Sequence, residues 1–152
     1  MQIKNLDETL LDGIDCIERD SFSSPWSKNA YRDEIDNPLA DYAVIIDENG
    51  TVIAYGGYWN VCGEGNITNI AVKREYRNRH IGTMLMNELL ARAKEKNISA
   101  MTLEVRKSNI AAISLYKKQG FVSAGVRPGY YPDGEDAVIM WLTLGGESEN
   151  NR

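Results

Sequence analysis

NIAVKREYRNRHIGTMLM, Asn69 to Met86, joins a strand to a helix through a basic loop. It closes a β-rich run, Ile67 to Val72, and opens a helical pattern from about Gly82 to Lys96 that keeps Leu85, Leu89 and Ala93 on one side. Between them, Lys73 to His80 is polar and carries four Lys or Arg against one Glu. A strand that feeds a helix N-terminus through such a loop is where open α/β folds receive phosphate, because amide N–H groups and the helix dipole converge there. On charge alone the segment reads as a solvated basic turn. Its position between strand and helix shifts the reading toward an anion cradle.

Toward the N-terminus, Leu10, Leu11, Ile14 and Ile17 fall at helical spacing in Leu6 to Asp20, and a second short helix is predicted from the N-cap Ser27 to Asp36. Tyr42 to Ile46 and Thr51 to Val61 are β-rich and flank Asp47-Glu48-Asn49-Gly50, whose Asn-Gly marks a hairpin. Beyond the central helix, Ala100 to Val105 is predicted to lie parallel to Ile67–Val72, since a helix-length crossover separates them. A helix from Ser108 or Asn109 stops at Gly120, and Phe121 to Arg127 pairs antiparallel with Ala137 to Leu144. The expected fold class is α/β: a mixed, mostly antiparallel sheet with a central parallel strand pair and helices on both faces. One domain is expected over residues 1–144, with a flexible C-terminal tail over 145–152.

Composition narrows the function. The chain of 152 residues suits a single core, and its 22 Asp or Glu against 17 Lys or Arg, a formal charge of −5, disfavour a general nucleic-acid binder. A cationic partner is easier to accommodate. No apolar run approaches the ~20 residues of a membrane span, and Met1 to Asp20 lacks the apolar stretch of a secretory signal, so a cytoplasmic protein is expected. Cys16 and Cys62 form no C-x-x-C pair and have only His80 as a histidine co-ligand, so reduced thiols and no metal are expected.

The basic loop resembles the acetyl-CoA-binding segment of the GNAT N-acetyltransferases, whose signature is Q/R-x-x-G-x-G/A. Arg77 takes the first position and Gly82 the last, while His80 stands where the first glycine is usual. That departure requires His80 to accept positive φ, which His tolerates better than most residues. A catalytic role for His80 is the sharper rival idea. Three further stretches are similar to the RimI-type ribosomal-protein alanine N-acetyltransferases: LEVRKSNIAAISLYKKQGF (Leu103 to Phe121), FSSPWS (Phe22 to Ser27) and GYYPDGEDAVIM (Gly129 to Met140). With them the resemblance covers nearly the whole chain. The E-V-R-x-S-N run, with Tyr seven residues after Asn, and the Y-Y-P loop are its more specific parts.

The resemblance implies acetyl-CoA as cosubstrate, held by Ile70, Ala71, Val72, Arg77, Asn78, Arg79, His80, Ile81, Gly82, Thr83 and Asn109. It implies Glu104 as general base and Tyr116 as general acid, with Trp26, Tyr130 and Tyr131 bordering the acceptor. The acceptor it implies is the N-terminal α-amino group, alanine first, of a small-subunit ribosomal protein, attacked directly in a ternary complex by a monomer or weak dimer. The residues have their own readings beside these. Glu104 ends a strand, Asn109 serves equally as a helix N-cap, Tyr116 fits a core tyrosine with a wet hydroxyl, and Trp26 fits core packing. Tyr130 and Tyr131 sit in a turn beside Asp133, Glu135 and Asp136, where two aromatics favour contact and the charge would steer a basic peptide. Another acceptor (a Lys side chain, a small amine or an antibiotic) and a silent CoA-binding module remain open.

Overall fold

The computed structural model describes residues 1–145. Among them run β1 (Gln2–Asn5), α1 (Leu11–Ser21), α2 (Lys28–Ile35), β2 (Ala40–Ile46), β3 (Val52–Val61), β4 (Glu64–Val72), α3 (Ile81–Glu95), β5 (Ala100–Arg106), α4 (Ile110–Lys118), β6 (Val122–Arg127) and β7 (Ala137–Thr143). The strands make one seven-stranded sheet in the order β1-β2-β3-β4-β5-β7-β6. The parallel pair is β4 with β5, whereas β1–β2, β2–β3, β5–β7 and β6–β7 are antiparallel. The mixed α/β sheet with a central parallel pair is thus as the sequence indicates. The expected tail lies, Gly145 apart, outside the described residues.

Two compact units divide the chain: Met1–Trp59 with Thr68–Leu90, and Asn60–Ile67 with Ala91–Arg152. In the first, α1 lays Leu11, Ile14 and Ile17 onto Tyr42, Val44, Ile46, Val52 and Tyr55, a core completed by Tyr31 of α2 and Ala71 of β4. Gly13 permits that approach, since a Cβ there would fall 2.6 Å from Val52 Cγ2. The β2–β3 turn is held by Asp47, whose Oδ1 accepts the Asn49 and Thr51 amides at 2.9 Å each, while Gly50 takes φ 80°. Ser27 caps α2 by accepting the Ala30 amide at 3.1 Å.

In the second unit, Glu64–Asn66 pair with Ala100–Thr102, and β5 continues along β7 through Arg106↔Ala137. The strand predicted from Ile67 therefore begins at Glu64, and it is this added segment that carries the parallel ladder. Helix α4 ends as expected. Gly120 takes φ 103° and its amide reaches the Lys117 carbonyl at 3.0 Å, while the Phe121 amide reaches the Tyr116 carbonyl at 3.0 Å. Two other details differ from the sequence reading. β1 was not anticipated, and the first helix opens with a 3-10 turn at Glu8–Leu10 capped by Asp7 before α1 begins.

Candidate active site

The loop between β4 and α3 is built to present amides. The Lys73 amide donates to the Ile53 carbonyl at 2.7 Å, Arg74–Tyr76 forms a 3-10 turn, and Arg74 pairs with Asp20 at 3.1 Å. Arg77 closes the loop on itself: its Nε donates to the Val72 carbonyl at 3.0 Å and its Nη2 to Ser21 Oγ at 3.3 Å. The first residue of the signature thus braces the loop across its base.

His80 takes φ 63°, the conformation a glycine would have supplied, and Asn78 takes the same value. The His80 carbonyl accepts the Met84 amide at 3.1 Å, so His80 sits at the helix start. The amides of Ile81, Gly82 and Thr83 then occupy the first turn, where an α-helix supplies no intrahelical acceptor. These first-turn donors at the positive end of a fifteen-residue helix, with Asn78, Arg79 and His80 exposed beside them, fit a pyrophosphate. Arg79 lies over the Tyr76 ring at 5.4 Å.

Also in the first unit, Trp26 is half-buried against the core and its indole lies 5.2 Å from the Tyr31 ring. The rest of the candidate machinery belongs to the second unit. Glu104, with 28% of its side chain exposed, pairs across β7 with Arg127 of β6 at 3.4 Å. Asn109 caps α4, its Oδ1 accepting the Ala112 amide at 3.1 Å. Tyr116 is 7% exposed, with its ring 5.8 Å from that of Phe121. Burial holds its phenol above the ordinary tyrosine range, so it carries its proton throughout neutral pH.

Sequence reasoning missed the groups that order the Tyr130–Tyr131 turn. Arg106 lies two residues beyond Glu104, on the same face of β5. Its Nη1 donates to Asp133 at 2.9 Å and Glu135 at 2.8 Å, and its guanidinium stacks 4.2 Å from the Tyr131 ring centroid. Glu135 also accepts the Ser108 amide at 2.8 Å, tying the turn to the start of α4. The Ser108 hydrogen bond, and then Arg106, depress the Glu135 carboxyl to about 2. Burial pushes the Tyr131 phenol up to about 12, against the opposing pull of Arg106. Tyr130 and Tyr131 meet edge to face at 5.0 Å, and Arg127 lies 5.9 Å from the Tyr130 ring. The structure therefore gathers Glu104, Arg127, Tyr130, Arg106 and Tyr131 around one strand face. Asp133 and Glu135 direct their charge at Arg106, so the steering charge expected of this loop is partly neutralised.

Among the described residues no group of three or more His, Cys, Asp or Glu is placed to hold a metal ion, both cysteines are free, and no helix is long and apolar enough to cross a membrane.

Fold and loop together define an acetyltransferase: residues 11–121 match the acetyltransferase (GNAT) family, and the chain belongs to it. It is 42% identical over 144 residues to a Bacillus subtilis protein named as a candidate ribosomal protein bS18-alanine N-acetyltransferase, across 93% of this chain and 95% of that one. It is 33% identical over 145 residues to the Escherichia coli ribosomal protein bS18-alanine N-acetyltransferase, across 93% and 97% of the two chains. The crystal structure of the Escherichia coli protein matches with a TM-score of 0.85 over 94% of this chain and 93% of that one. A NatC complex bound to Gag peptide and CoA matches with a TM-score of 0.80 at 26% identity, over 95% and 99% of the two chains.

Proposed function

We propose that this chain transfers the acetyl group of acetyl-CoA to the N-terminal α-amino group of a ribosomal protein whose first residue is alanine. The observation that carries the reading is His80 at φ 63°, which keeps the glycine-like loop geometry in a chain similar along its length to enzymes named for that reaction. The amides of Ile81, Gly82 and Thr83 receive the pyrophosphate, assisted by Arg79, and Ile70, Ala71 and Val72 line the cofactor along β4. Asn109 contributes from the start of α4. Acetyl-CoA, when bound, supplies an activated acetyl thioester.

The chain's own groups then manage two protons. An α-amino group has a pKa of ~7.7–8.0 against ~10.4 for a Lys side chain, so a terminal amine needs far less help to become a nucleophile at neutral pH. Glu104, directly or through a water, would accept the amine's proton; as the nitrogen bonds to the acetyl carbon and the carbon–sulfur bond breaks, Tyr116 would give its proton to the leaving thiolate and recover the one that the new amide nitrogen sheds. A backbone amide near Val72 stabilises the oxyanion. Trp26, Tyr130 and Tyr131 border the acceptor, with Tyr131 held in place by Arg106. A ribosomal-protein substrate places the reaction in the cytoplasm.

A panel of peptides beginning with Ala, Ser or Met, set against lysine side chains and free amines, tests the assignment. Acetylation of the Ala peptide at its α-amine, well above every other acceptor, is the expected outcome. Preference for a lysine or a small amine would reassign the acceptor, and no turnover with any of them would leave only a CoA-binding role.

A further inference from the structure

Glu18 is a buried acid that the proposed chemistry does not use. It lies in α1 and is only 1% exposed. Its Oε1 accepts the hydroxyls of Tyr31 at 2.7 Å and Tyr55 at 2.6 Å, and its Oε2 accepts the Trp26 backbone amide at 2.9 Å. The Tyr31 hydroxyl in turn accepts from Asn69 Nδ2 at 2.5 Å. Burial, and then the charge of Glu18, push the Tyr31 phenol well above the usual range, so it stays protonated and available as a donor. Burial raises Tyr55 in the same direction.

A carboxylate removed from water is costly unless its oxygens are met by donors, and a well-packed apolar side chain commonly serves a core at least as well. What the carboxylate adds is direction. Its bonds run from α1 to α2 through Tyr31, to β3 through Tyr55, and to the α1–α2 connection through the Trp26 amide. Through Tyr31 and Asn69 they also reach β4 one residue before Ile70. An arrangement that fixes a connecting segment by its backbone, and seats the adjoining indole on Tyr31, makes that segment rigid.

We propose that Glu18 is a positioning residue for acceptor binding: it pins Trp26 by its amide, so that the α1–α2 connection is set before the peptide arrives. The inference rests on the reading that Trp26 borders the acceptor. A pre-set wall lowers the ordering cost of binding the peptide and leaves cofactor affinity untouched. Gln at position 18 keeps the volume but brings an NH2 group that must face either the Trp26 amide, donor to donor, or the two tyrosine hydroxyls, whose own protons then lose their acceptor.

Steady-state kinetics with an Ala-starting peptide and acetyl-CoA, accompanied by melting curves, test it. Glu18→Gln is expected to raise the peptide KM by about tenfold, the loss of one hydrogen bond to a charged group, with the acetyl-CoA KM unchanged. Tyr55→Phe, which removes a Glu18 donor without touching Trp26, is expected to lower the melting temperature and leave the peptide KM alone. Trp26→Ala should raise the peptide KM. If Trp26→Ala raises that KM while Glu18→Gln leaves it at the wild-type value, the positioning role is overturned. If Trp26→Ala has no effect on it, the placement of Trp26 at the acceptor is what fails. Should Glu18→Gln not fold, hydrogen exchange of the Trp26 amide in the wild-type protein still decides: slow exchange supports the pin, and exchange as fast as an exposed loop amide overturns it.

Discussion

Asn109 has two possible duties, and one substitution separates them. Its Oδ1 accepts the Ala112 amide at 3.1 Å at the head of α4, a helix of nine residues in which one capped donor is a large share of the first turn. Asn109→Ala removes that acceptor and is expected to cost about 1 kcal/mol, the usual worth of such a cap, within a range of roughly 0.5–2 kcal/mol. For a chain of this size, that loss lowers the melting temperature by about 2–4 °C. Asn109→Ser restores an equally good cap on a shorter side chain, one that cannot extend an amide toward a ligand. Thermal melts of the two variants beside the acetyl-CoA KM of each give the answer. The expected pattern is a lowered melting temperature in the Ala variant alone and a raised acetyl-CoA KM in both. A Ser variant that melts as low as the Ala variant would refute the cap argument, and a Ser variant with the wild-type KM would remove Asn109 from the cofactor's ligands.

Tyr116→Phe keeps the ring that packs on Phe121 and removes only the hydroxyl, so thiol-release assays should show turnover reduced by about 10²–10⁴-fold with little change in melting temperature or acetyl-CoA KM. Wild-type turnover would take Tyr116 out of the chemistry. The Arg106 clamp makes a pH-dependent contribution to stability. Glu135 is depressed to about 2 in the folded chain, and Asp133 is also lowered, chiefly by its hydrogen bond from the Glu135 amide. A carboxylate whose folded value is depressed stabilises above its unfolded value and loses that contribution as pH falls through the folded one. Arg106→Ala should therefore melt below the wild type at neutral pH; Glu135 keeps its Ser108 hydrogen bonds in the variant, so the gap should close only as the pH nears about 2, where the wild-type carboxylate is itself protonated. A gap that stayed constant down to that pH would show that stacking on Tyr131, and not the ion pairs, is what Arg106 supplies.

Much of this arrangement is written in local signals. The hairpin at Asp47–Gly50, the caps at Ser27 and Asn109 and the stop at Gly120 each depend on residues within a few positions of one another, and each appears where its sequence places it. The loop to α3 was legible for the same reason. β1 was not: of Gln2–Asn5 only Ile3 is even partly buried, so the strand has almost no apolar pattern and forms because β2 offers it an edge. The start of β4 was hidden in the polar run Glu64-Gly65-Asn66, which is held by pairing with Ala100–Thr102. The Arg106 clamp joins residues about 27 positions apart in the chain, and nothing local announces such a pairing. Glu18 did leave a trace. It falls seven residues after Leu11 and four after Ile14, on the apolar stripe of α1, where an acid would be buried and would have to find donors.

Calorimetry of CoA beside pantetheine, which keeps the thiol arm and lacks the pyrophosphate together with its 3′-phosphoadenosine, measures how strongly the turn between Val72 and Thr83 grips the phosphate end of the cosubstrate. With two or more charge-assisted hydrogen bonds lost, pantetheine should bind at least about 100-fold more weakly than CoA. Equal affinities for the two, or no association with CoA at millimolar concentration, would contradict the account.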